Sequence, residues 1–181
     1  HGPKGVGFLY VNEKVKIKPL ILGGGQQKGM RSGTDNVPGI VGLGMAAKEA
    51  YTGFEEKISH LYRIKELFVK GVSEIPDTVI NSPDGVLGAP QIVSVSFLGI
   101  RSEVLLHALE EKEIYVSSGS ACSSNKKLPI STVLKEIGLE KDLLETTVRF
   151  SFSHFTTEEE IAYCMEELKK IVPVLRKYSR H

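Results

Sequence analysis

Residues 92–97 read IVSVSF, with Val93, Val95 and Phe97 alternating against Ser94 and Ser96. A strict period of two predicts a half-buried strand, apolar on one face and polar on the other. Just upstream, NSPDGVLGAP (81–90) is dense in proline and glycine and reads as a turn region. Downstream, Ser102-Glu103 opens a helix through Lys112 with Val104, Leu105, Ala108 and Leu109 facing inward and His107 packing or capping. Ile114 to Val116 then reads as a short strand, Ser117 to Pro129 as a polar loop, Ile130 to Ile137 as a short helix stopped by Gly138, and Thr147 to Phe152 as another strand. Thr157 and Glu160 have capping-box spacing ahead of a closing helix that buries Ile161, Cys164, Met165, Leu168, Ile171, Val172 and Leu175. These strands and helices mix without strict βαβ alternation, which predicts a small α+β domain from about residue 76.

Working back toward the start, Pro38 sits where a first-turn proline belongs, and Ile40, Val41, Leu43, Ala47 and Ala50 recur at helical spacing. Ile58, Leu61, Tyr62, Lys65, Phe68, Val69 and Val72 repeat the pattern over Glu55 to Ile75, so one long or two consecutive helices occupy 38–75, as a connector between domains would. Before them, GGGQQKGMRSGTDN (23–36) predicts a long structured loop, Val15 to Leu22 an extended segment, and GFLYV (7–11) a buried strand.

Composition narrows the function classes. The chain has 181 residues, 41% hydrophobic and 25% charged, which excludes disordered and collagenous chains. Twenty-three basic against 22 acidic residues leave a formal charge of +1, without the basic excess of a nucleic-acid binder. Apolar runs are too short to span a bilayer, and nothing resembles a secretory segment. Cys122 and Cys164 show no zinc or disulfide pattern, so a reducing, cytoplasmic setting is expected. No Gly-Lys dipeptide supports a phosphate loop, and no G-x-G-x-x-G links a strand to a helix, which argues against ATP and NAD. The chain begins at His1 and not at Met, as a processed product or a fragment would.

Three places could carry chemistry. Cys164 falls at core spacing, where a thiol is a small apolar residue. Cys122 lies in SSGSACSSN, a loop of small polar residues whose donors could stabilise a thiolate. The thirteen residues from Ser117 to Pro129 would span roughly 43 Å when extended, enough reach for one thiol to visit two sites. Arg149 lies on the Thr147–Phe152 strand opposite the aromatics, where a guanidinium either captures a carboxylate or phosphate or makes a structural salt bridge. GMRSGT (29–34) has the composition of an anion nest or of a tight surface loop.

GPKGVG near the start, GGGQQKGMRSGTDN, SSGSACSS and VRFSFSHFTTEEE, in that order, resemble the C-terminal half of cysteine desulfurases of the class V aminotransferase family, in the long-loop NifS/IscS-like group. The resemblance covers essentially the whole chain. It implies a fold of the α/β class: the end (1–52) of the large domain of a fold-type I pyridoxal-phosphate enzyme, and a C-terminal small α+β domain (53–181) bearing the cysteine loop. It also implies pyridoxal 5'-phosphate as cofactor, L-cysteine as substrate, L-alanine as product, a homodimer, and a sulfur acceptor or iron–sulfur scaffold as partner. Carried over by position, Cys122 resembles the catalytic nucleophile that takes up a persulfide and could transiently ligate an iron–sulfur cluster through it. Arg149 resembles the holder of the substrate carboxylate, and Thr34 a phosphate ligand given across the dimer.

The cofactor lysine of that family stands just upstream of the position matched by His1, and Lys4 is a different position, so the chain alone is expected to be inactive. Ser153-His154 stands where many relatives have Gly-Arg, and Gln27 where an acid is common; neither is carried over. Two rival readings keep the motifs but change the activity. One is a non-enzymatic persulfide carrier or partner-binding module. The other is a fragment of a different class V aminotransferase or of a selenocysteine lyase, with Cys122 incidental.

Overall fold

The computed structural model describes residues 2–118 and 131–178. The chain divides into two compact units, 1–54 and 55–181.

Among the described residues of the first unit, the one long regular element is helix α1 (Val37–Tyr51). The Asn36 side chain caps it by accepting from the Gly39 N–H at 3.1 Å, and proline lies in the first turn as the sequence suggested. The expected strand at 7–11 does not form: Phe8, Leu9 and Tyr10 are exposed and pair with no neighbour. A strand needs a second strand to satisfy its backbone, and the described residues of this unit provide none. Residues 23–36 form a loop, as expected, with a 3-10 turn at Gln26–Gly29.

The second unit is built on a sheet of four strands, β1 (Thr78–Ile80), β2 (Ile92–Phe97), β3 (Ser117–Ser118) and β4 (Thr147–Ser151), in the order β1-β2-β4-β3. Every pairing is antiparallel. Helix α2 (Phe54–Ser73) follows α1 after Gly53, whose φ of 62° ends the first helix and divides the predicted helical stretch in two. Helices α3 (Ser102–Glu110) and α6 (Glu158–Tyr178) join α2 on one face of the sheet. Two short helices, α4 (Thr132–Glu136) and α5 (Lys141–Thr146), lie between β3 and β4 in the chain.

Alternation does what the sequence predicts. Val93, Val95 and Phe97 of β2 and Val148 and Phe150 of β4 enter one core with Ile64, Phe68 and Val72 of α2, Leu105 and Leu109 of α3, and Leu168 and Val172 of α6. Phe68 stacks at 4.6 Å on Phe150 and at 5.2 Å on Phe152. The capping box also forms, since Thr157 Oγ1 accepts from Glu160 N at 3.2 Å while Glu160 Oε2 accepts from Thr157 N at 2.9 Å. Arg176 on α6 donates to the carbonyls of Pro76, Asp77 and Leu98, at 2.7, 2.9 and 2.9 Å, which fastens the last helix to the sheet's β1 edge.

Two details differ from expectation. Ile114 and Val116 pack against the core as loop residues, and the strand hydrogen bonds to β4 begin only at Ser117. His107 is exposed and sits 3.3 Å from Glu110 Oε2, so it neither packs nor caps.

Candidate functional site

Burying Val148 and Phe150 on the helical side turns Arg149 to the other face of the sheet. The strand register places Arg149 directly across from Ser94 on β2 and from Ser117 on β3. Its Nη2 donates to Ser117 Oγ at 3.3 Å, and among the described residues it has no carboxylate partner. The alternative of a structural salt bridge therefore has no support there. A guanidinium left without a counter-ion on a rigid strand is suited to bidentate capture of an incoming carboxylate.

The same face holds a closed polar network two residues away. Ser96 Oγ and Thr147 Oγ1 lie 2.7 Å apart, Asn81 Nδ2 donates to Ser96 Oγ at 2.9 Å, and Leu143 O within α5 accepts from Ser96 Oγ at 3.2 Å. Every member is paired, as burial of Ser96 and Thr147 requires. Ser82 Oγ accepts from the Ser94 N–H at 2.8 Å, which ties the 81–91 turn to the strand facing Arg149.

Behind that turn stands a residue that the helical spacing had placed on the periodic face without giving it a role. Lys65 is only 5% exposed, and its Nζ donates to Pro83 O at 3.1 Å and Ala89 O at 3.4 Å. Gly88 is needed there, because a Cβ would come within 2.6 Å of Pro83 O and 2.7 Å of Lys65 Nζ. The signal was present: a lysine at a core position of an amphipathic helix needs acceptors, and a turn with few side chains can bring its carbonyls close.

Thr34 belongs to the first unit. Its loop is tied by Ser32 Oγ donating to Gly24 O at 2.7 Å, Gln26 Oε1 accepting from Gly33 N at 3.2 Å, and Gln27 Nε2 donating to Asp35 Oδ1 at 3.1 Å. Gln27, Lys28 and Gly29 follow one another in the left-handed region, with φ of 51°, 55° and 78°. The anion nest is corrected, because the amides of Gly29, Met30, Ser32 and Gly33 all donate inside the protein and cannot converge on a ligand. Thr34 itself is exposed, and no hydrogen bond engages its hydroxyl among the described residues. A free hydroxyl on a tied loop is a donor that fits one oxygen of a phosphate.

Of the two thiols, Cys164 is buried in the core, and burial pushes its pKa up to about 12, which makes it inert at neutral pH. Cys122 lies outside the described residues. Among those described, no cluster of histidine, cysteine and carboxylate side chains could hold a metal ion, and no helix is long and apolar enough to cross a membrane.

Comparison with known proteins adds the larger context. A family model described as aminotransferase class V matches residues 1–164. Curated relatives named cysteine desulfurase IscS include one from Rickettsia typhi, 40% identical over 99% of this chain and 43% of that protein. Another, from Klebsiella pneumoniae, is 41% identical over 99% of this chain and 44% of its own length. Among solved structures, a NifS-like protein superposes with a TM-score of 0.82 at 35% identity, covering 97% of this chain and 44% of that one. A NifS-like protein from Rickettsia africae gives a TM-score of 0.73 at 27% identity, over 88% of this chain and 41% of that one. The chain thus spans less than half the length of the proteins it matches.

Proposed function

Since this chain belongs to the class V aminotransferase family, we propose that it is the C-terminal part of a pyridoxal-phosphate-dependent cysteine desulfurase. The observation that carries this reading is a match of about 40% identity running end to end along the chain to proteins bearing that activity in their name. In this reading residues 1–52 close the large, cofactor-binding domain and 53–181 form the small domain.

Each residue then has a task that its surroundings support. Arg149, held on β4 with no counter-ion among the described residues, pairs with the α-carboxylate of L-cysteine and fixes its orientation. Thr34 donates its hydroxyl to the cofactor's phosphate from a loop that Ser32 Oγ and the Gly33 N–H tie internally. Pyridoxal phosphate, when bound, supplies a sink for the negative charge developed on the substrate carbon. Cys122, as thiolate, attacks the substrate sulfur and keeps it as a persulfide, while the carbon skeleton leaves as L-alanine. The protein acts as a homodimer in the cytoplasm and passes the sulfur to an acceptor for iron–sulfur cluster or thio-cofactor and tRNA synthesis.

The test uses the complete protein that contains this chain, supplied with pyridoxal phosphate and L-cysteine. Alanine should accumulate, and a mass gain of one sulfur atom should map to Cys122 and vanish in Cys122→Ala. Alanine formation unaffected by that substitution would favour the selenocysteine lyase or general aminotransferase alternative. A mass gain on the chain only when a separate desulfurase is present would favour the carrier alternative.

A further inference from the structure

Three strands place Ser94, Arg149 and Ser117 in one row across the sheet, hydroxyl, guanidinium, hydroxyl. We infer that this row is a carboxylate cradle in which Ser94 and Ser117 strengthen and orient binding by donating to the oxygens that Arg149 holds. The inference rests on the reading of Arg149 as the carboxylate holder and extends it to two residues to which no role had been given.

The geometry comes from the backbone. In an antiparallel sheet the N–H and C=O of one residue point to the same neighbour. Ser94 donates its N–H to Ser82 Oγ at 2.8 Å and accepts from Asn81 N at 2.8 Å, so both its backbone groups face the β1 side. Ser94 and Arg149 are therefore a non-hydrogen-bonded pair, the closer kind, with Cα atoms about 4.5 Å apart. Two residues along the same strands, Ser96 and Thr147 stand in the equivalent relation, and their hydroxyl oxygens meet at 2.7 Å. Opposed side chains on this face thus come within hydrogen-bonding reach of each other's partners.

The chemistry follows. Two parallel guanidinium N–H groups satisfy one lone pair on each carboxylate oxygen and leave the outer lone pairs open. Ser117 already contacts the guanidinium from one side, and Ser94 stands opposite it on the other, with its hydroxyl unengaged among the described residues. A planar carboxylate offers an acceptor to every donor in such a row, whereas a neutral amide turns an N–H₂ toward a guanidinium that can only donate and loses that bond. The row discriminates a substrate carrying a free carboxylate from one that lacks it.

The experiment is an NMR titration of the 181-residue chain with sodium acetate, and with acetamide as the neutral isostere, following the Arg149 Nε–H and the Ser94 and Ser117 amides. Acetate, and not acetamide, should shift all three signals. Ser94→Ala and Ser117→Ala should each weaken acetate binding about threefold to tenfold, Ser94→Thr should restore it, and Arg149→Lys should abolish it. Wild-type acetate affinity in both alanine variants, with loss in Arg149→Lys, would overturn the cradle and leave Arg149 as sole holder. Unchanged binding in Arg149→Lys would overturn the assignment of Arg149 as well.

Discussion

Residues 55–178 and residues 2–54 treat their apolar side chains in opposite ways. In the first stretch, Ile64, Phe68, Val72, Val93, Val95, Phe97, Leu105, Leu109, Val148, Leu168 and Val172 are wholly withdrawn from water. In the second, Phe8, Leu9, Tyr10, Leu20 and Leu22 are 77–97% exposed, and the buried residues are Ser32 and Gly39. Burying one such side chain stabilises a fold by about 1.5–3 kcal/mol, so the larger unit carries its own stability and the smaller one does not. Hydrophobic content states how much apolar surface a segment has, and only the fold states whether anything covers it. The chain spans 43–44% of the length of the relatives it matches.

The sharpest way to break this contrast is a pair of truncations. Phe68→Ala, which empties a site between Phe150 and Phe152, should cost about 3–5 kcal/mol in urea unfolding of the chain. Leu20→Ala, at a residue 97% exposed, should stay within about 0.5 kcal/mol of the parent. Equal costs would mean that the small unit has a core after all.

Alkaline pH sharpens the comparison further. An unfolded thiol ionises near about 8.5, whereas Cys164 in the core keeps its proton until about 12. Between those values the unfolded chain binds fewer protons, so stability is full below about pH 8.5 and falls as the pH rises, by about 1.4 kcal/mol per pH unit. Urea midpoints measured from pH 8 to pH 11 should fall more steeply in the parent than in Cys164→Ala. The two helix caps give the smallest effect. Thr157→Ala, which opens the capping box of α6, should cost about 1 kcal/mol of global stability. Asn36→Ala removes the same kind of bond from α1, yet should leave the main unfolding transition where it was and speed only the local amide exchange of α1.

The legible parts of the sequence were those in which pattern and partner lie in the same unit. Strands β2 and β4, helices α3 and α6 and the Thr157–Glu160 box follow from alternation, helical spacing and capping chemistry, each satisfied within residues 55–178. GFLYV carries as good an apolar signal as IVSVSF, but periodicity cannot name the neighbour that would receive it. Helix α5 and strand β1 escaped for the opposite reason, since six and three residues are too short to display a period. At the site, the placement of Arg149 on the face away from the aromatics was readable from β4 alone. Its row with Ser94 and Ser117 was not, because a cross-strand register is a relation between residues 55 and 32 positions apart and leaves no mark in either segment.

The three bonds of Arg176 have one more effect. β1 is the outermost strand on its side of the sheet and has only three residues. The oxygens of Pro76 and Asp77, just before it, are engaged by the last helix, so the point where this short border strand starts is held in place. One side chain near the end of the last helix thus sets how far the outermost strand can run, and a border of three residues gives a passing peptide few backbone groups to join.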